Sequence, residues 1–166
     1  LHKGLRYDDG GQWAEQGQVL PELLDNLLTD SFFAASPPKS CGRDEFNLPW
    51  IERHLAGSER PEDVQATLLE LSAVSAIRAI DRWCDNPVEL FVCGGGAHNR
   101  ALMARLQHHL TNCRVASTNS LDQAADWVEA LAFAWLAWRT LNGETGNLPE
   151  VTGARGPRIL GAIYRH

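Results

Sequence analysis

Lysine is nearly absent from this chain of 166 residues, with only Lys3 and Lys39 beside 13 arginines. Anion recognition therefore falls to arginine forks, backbone amides or Lys39. Acidic residues outnumber basic ones, giving a net charge of -6 and a pI near 5.5. No general pull toward nucleic acid or anionic lipid is expected. No run of about 20 apolar residues occurs, which excludes a membrane-spanning helix, and the opening LHKGLRYDDGG is too polar for a signal peptide. The four cysteines, Cys41, Cys84, Cys93 and Cys113, form no C-x-x-C pair, so a reducing, cytoplasmic setting is expected. The single methionine is Met103 and residue 1 is leucine; the biological polypeptide is expected to extend upstream.

Several chemistries lack their residues. No Gly-Lys-Ser/Thr follows a glycine loop, and no acid stands about 20 residues beyond the glycines, where Ser117-Thr118-Asn119 lie instead. Walker A and dinucleotide fingerprints are both disfavoured. The histidines, His2, His54, His98, His108, His109 and His166, show no H-E-x-x-H spacing, and adjacent His108 and His109 point to different helix faces. No metal site is expected from them. A G-x-S-x-G elbow is also missing.

What is present is an ordinary globular composition, 44% hydrophobic and 22% charged. A chain of this size buries about two-thirds of its unfolded surface, so a core can form without staples. A helix is predicted from Pro21, and a short one capped by Asn47 with Pro49 in its first turn. A long, central helix should run from Pro61 to about Trp83. Glu89 to Cys93 reads as a strand entering Gly94-Gly95-Gly96, followed by a helix over 99–110 and a second strand over 114–117. Residues 126–141 are apolar nearly all round, too short to span a bilayer of about 30 Å, and read as a core helix. A final strand is predicted over 158–164. The order strand, glycine turn, helix, strand, helix, strand implies an α/β layer with parallel strands.

Three places could carry chemistry. Strand, glycines and helix in succession, Phe91 to Arg100, let a backbone approach a ligand beside free amides; a tight turn needing positive φ is the bland alternative. Asp126 and Glu129 share one helical face. Either Asp126 caps and Glu129 folds back, or Glu129 is a partly buried carboxylate holding a polar substrate. Lys39, Ser40, Gly42 and Arg43 form a loop that could hold phosphate or close over a cleft, or simply lie in solvent.

The segment Phe91-Val92-Cys93-Gly94-Gly95-Gly96-Ala97-His98-Asn99 resembles the adenosine motif of the sugar kinase, heat-shock cognate and actin superfamily. Pro37-Pro38-Lys39-Ser40-Cys41-Gly42-Arg43, the stretch Ala125 to Leu136 and the stretch Gly146 to Ala154 resemble anhydro-N-acetylmuramic acid kinase, in the order of that family. The resemblance covers nearly the whole chain but only the C-terminal half of such a kinase, with Cys41 where threonine is expected. It implies a helix-rich α/β fold with a short, incomplete sheet, the C-terminal lobe of an actin-like (ribonuclease H-like) sugar kinase, spanning residues 1–166.

The implied activity is hydrolytic opening of the 1,6-anhydro ring of anhydro-N-acetylmuramic acid and phosphorylation of its O6, with ATP and Mg2+, in cell-wall recycling. The N-terminal lobe, its phosphate loop and the Asp that serves as base are absent from this chain, so no catalytic residue is expected here and the chain alone should be inactive. Gly94, Gly95, Gly96 and Asn99 are implied at the nucleotide and Glu129 at a sugar hydroxyl. Lys39 and Arg43 are candidates for phosphate contact or lobe closure. The partners implied are the sugar, the missing lobe and a second copy in a homodimer. The alternative is a non-catalytic helical interaction domain with a structural glycine turn.

Overall fold

The computed structural model describes residue 4, residues 6–42 and residues 44–164. Its helices are α1 (Pro21–Leu27), α2 (Ser31–Ala34), α3 (Leu48–Glu52), α4 (Pro61–Trp83), α5 (Arg100–His109), α6 (Val128–Leu141) and α7 (Pro149–Thr152). Two strands, β1 (Glu89–Val92) and β2 (Arg114–Ser117), pair in parallel, with Glu89 opposite Arg114 and Val92 opposite Ser117. The helix-rich α/β reading with a small parallel sheet holds.

Local chemistry accounts for the helix starts. Proline occupies the first turn of α1, α3, α4 and α7, where its missing N–H is not needed. Asn47 Oδ1 accepts from Trp50 N at 2.9 Å, and Asp30 Oδ1 from Phe32 N at 2.9 Å, each satisfying an orphan amide.

The core lies where α1 and α3 meet α4. Leu23, Leu27, Trp50, Ile51 and Leu71 are buried there, flanked by Phe33 and Phe46. Each fully buried leucine such as Leu27 contributes about 2 kcal/mol of transfer free energy. A second cluster, Ala14, Leu69 and Ala101, sets the N-terminal turn against α4 and α5. Two buried polar groups on α4 brace the segment before α1: Asp63 Oδ1 accepts from Gln18 N at 2.8 Å, and Thr67 Oγ1 accepts from Leu20 N at 3.0 Å while donating to Asp63 O.

Two expectations fail. Residues 158–164 form no strand. Their backbone is taken by other partners: Gly146 N donates to Arg158 O, Arg158 N donates to Asn147 Oδ1, and the Thr140 hydroxyl donates to Leu160 O. Gly161 at φ +89 also breaks an extended run.

The second failure is α6, expected as a core helix. It has no buried residue in this chain, and Leu131, Phe133, Trp135, Trp138 and Leu141 are all exposed. A two-stranded sheet offers too little area to cover a helix apolar all round. Among the described residues no helix is long and apolar enough to cross a membrane.

Candidate functional site

Because β1 and β2 are parallel, their carboxyl ends lie side by side, and both candidate site segments grow from that edge. Residues Gly94–His98 continue β1 as a short 3-10 turn into α5. Thr118–Leu121 and Ala125–Trp127, two further turns, continue β2 into α6. In open parallel sheets ligands bind at this end.

The three glycines differ in why they are glycine. Gly94 has φ +67, which a side chain would strain. Gly96 would place a Cβ 3.7 Å from Leu102 and Val92, an ordinary contact. Gly95 has neither a positive φ nor a neighbour within 4 Å of where a Cβ would stand, and it is exposed. The turn explanation therefore covers Gly94 and leaves Gly95 as bare backbone facing open space.

Asn99 ends this turn and is half-buried. Its Oδ1 accepts from Leu102 N at 3.0 Å, capping α5. A Cβ on Gly11 would stand 2.5 Å from that oxygen, so the N-terminal turn presses directly on the cap.

Glu129 lies in the first turn of α6, exposed, and its carboxylate makes no hydrogen bond or ion pair among the described residues. Neither sequence reading of it survives intact: it is not partly buried, and Asp126 does not cap α6, whose N-cap is Trp127 without a side-chain bond. Asp126 is instead engaged by His98, whose Nε2–H donates to Asp126 Oδ1 at 2.7 Å. Sequence reasoning missed this pair because its members are 28 residues apart. It also missed Glu70 on α4, which meets His109 Nε2 at 2.7 Å and Arg105 Nη1 at 3.3 Å, both on α5.

Lys39 is not free. Its Nζ donates to Phe32 O at 2.7 Å and Phe33 O at 3.3 Å, at the end of α2, and stands 4.6 Å from the Phe32 ring centre. Arg43 lies outside the described residues. The loop carrying Lys39 does meet another site-like segment: a Cβ on Gly153 would lie 2.7 Å from Pro38 Cγ. Residues 37–42 and 146–154, far apart in sequence, are thus in contact.

At the opposite, amino-terminal end of the strands a hollow of about 380 Å³ is lined by Cys84, Val88, His109 and Cys113, among others, and holds none of the sequence-predicted residues. Among the described residues no three His, Cys, Asp or Glu side chains converge as metal ligands.

The family model of anhydro-N-acetylmuramic acid kinase matches residues 1–166. A protein of that name from Thiobacillus denitrificans is 53% identical over 166 residues, 98% of this chain and 45% of its own length. Those from Pseudomonas putida and Nitrosospira multiformis are 54% and 51% identical over 163 residues, again covering 45% and 44% of their own lengths. The chain thus spans a little under half the length of these curated relatives. Matched from end to end by the family model and half identical to these relatives, the chain belongs to the anhydro-N-acetylmuramic acid kinase family.

Proposed function

We propose that the chain is the C-terminal, actin-like lobe of a two-lobed, ATP-dependent kinase acting on anhydro-N-acetylmuramic acid in the cytoplasm. The observation that carries this reading is Gly95: exposed backbone at the carboxyl end of a parallel strand pair, where neither φ nor any neighbour among the described residues requires glycine. A backbone without a Cβ lets a phosphate or adenosine come within hydrogen-bonding distance of its amides.

In the proposed reaction water adds at the anomeric carbon, the 1,6-anhydro C–O bond breaks, and the O6 so released takes the γ-phosphoryl of ATP, giving N-acetylmuramic acid 6-phosphate and ADP. The work of this chain is positioning. Gly94 to Gly96 border the nucleotide, with Asn99 fixing the turn behind them as it caps α5. The free carboxylate of Glu129 accepts from a sugar hydroxyl. Lys39, held by the Phe32 and Phe33 carbonyls, orders the 37–42 loop for lobe closure, and Arg43 is assigned to the same closure. The base that takes the proton from water belongs to the other lobe, so this chain alone does not turn over. The exposed apolar side of α6 suits burial against the remainder of such a kinase.

The test joins this chain to the preceding part of the Thiobacillus denitrificans relative and measures ADP release with the anhydro sugar and Mg-ATP. Activity in the folded chimera, and none from the chain alone, is expected. Gly95→Val in the chimera should raise the KM for ATP by roughly tenfold, about 1.4 kcal/mol, with the melting temperature unchanged. A folded chimera without activity would return the chain to a non-catalytic helical interaction domain.

A further inference from the structure

The middle of the glycine turn has no side chain of its own to anchor it, since residues 94–96 are all glycine. A Cβ at Gly94 or Gly95 would meet nothing within 4 Å, whereas one at Gly96 would touch Val92 and Leu102 at 3.7 Å, and the turn packs beside the Ala125–Trp127 turn. β1 holds one end and the Asn99 cap of α5 the other. The His98–Asp126 bond is the one side-chain hydrogen bond that joins this turn to the Ala125–Trp127 turn among the described residues.

Asp126 lies three residues before Glu129, across the junction of that turn and α6. Holding Asp126 therefore also holds the first turn of α6. Both partners are more than half exposed, 58% for His98 and 66% for Asp126. A pair this wet adds little to global stability, so its consequence is local geometry.

We infer that His98 and Asp126 are positioning residues that clamp the nucleotide-side turn to the sugar-side helix, so that the two substrate sites keep one fixed spacing. The clamp rests on the kinase reading above. Neither side chain is required to touch a substrate. Each acts through a neighbour, His98 through the Gly94 to Gly96 amides and Asp126 through Glu129. An unclamped turn must be ordered by the ligand at the ligand's own entropic cost, and this appears as weaker binding at both sites.

The experiment is a double-mutant cycle in the active chimera: His98→Ala, Asp126→Ala and the pair, with KM for ATP, KM for the sugar, kcat and melting temperature measured on each. Each single variant should raise both KM values about fivefold with kcat and melting temperature little changed. The double variant should be no worse than either single one. His98→Gln, whose amide can still donate to Asp126, should recover most of the loss. Additive effects, a change in one KM alone, or loss of melting temperature without loss of binding would overturn the clamp while leaving the kinase reading standing. A folded but inactive parent chimera would overturn that reading and the clamp with it.

Discussion

Glu70 Oε1 and His109 Nε2 lie 2.7 Å apart and tie the longest helix of the chain to the crossover helix between its two strands. Glu70 keeps only 9% of its side chain exposed, and Arg105 supplies a second cation at 3.3 Å. A carboxylate so enclosed is tolerated because both of its partners come from one face of α5, four residues apart.

Truncating it should be felt in stability. Glu70→Ala removes the acceptor from two basic groups, Arg105 and His109, at a cost of about 1–3 kcal/mol. Glu70→Gln keeps the shape and should cost less. Urea unfolding of the chain followed by circular dichroism measures both; equal, negligible losses would show the cluster to be ornamental.

Glu129 makes the opposite prediction. Exposed, and without a hydrogen bond or ion pair among the described residues, it can be changed to glutamine with no loss of fold. In the active chimera Glu129→Gln should raise the sugar KM roughly tenfold or more, as expected for losing a hydrogen bond to a charged acceptor. ATP affinity should stay within twofold of the parent value. A fall in melting temperature with unchanged sugar KM would make the residue part of the helix rather than of the site.

Asp30 gives the chain an acid-sensitive joint. The Phe32 amide donates to Oδ1 and the Trp50 indole N–H donates to Oδ2 at 3.0 Å, and these bonds hold the carboxyl below its ordinary 3.8. A depressed folded pKa means stability that is fully present above the unfolded value and lost as pH falls through the folded one. Melting temperature should therefore drop below pH 4, and Asp30→Asn should flatten part of that acid limb. An identical acid limb in the variant would remove Asp30 from the account.

Much of this architecture was legible in the chain. Pro61 and the apolar repeat that follows it placed α4 from Pro61 to about Trp83, and Asn47 announced its cap. The edges of β2 were readable from Arg114 to Ser117. These are local events, governed by proline geometry, side-chain caps and periodicity within one element. The glycine triplet was equally visible as a motif.

Tertiary structure decided what local pattern could not. It divided the triplet into a glycine required by φ, Gly94, and one, Gly95, that nothing among the described residues requires. It turned Lys39 back onto the end of α2, and it spent residues 158–164 on the loop at 146–147 and the end of α6 instead of on the sheet. Asp126 was given to His98 rather than to its own helix. Composition alone determined that α6 is apolar; whether an apolar helix is covered depends on surfaces elsewhere in space, and a two-stranded sheet does not supply them.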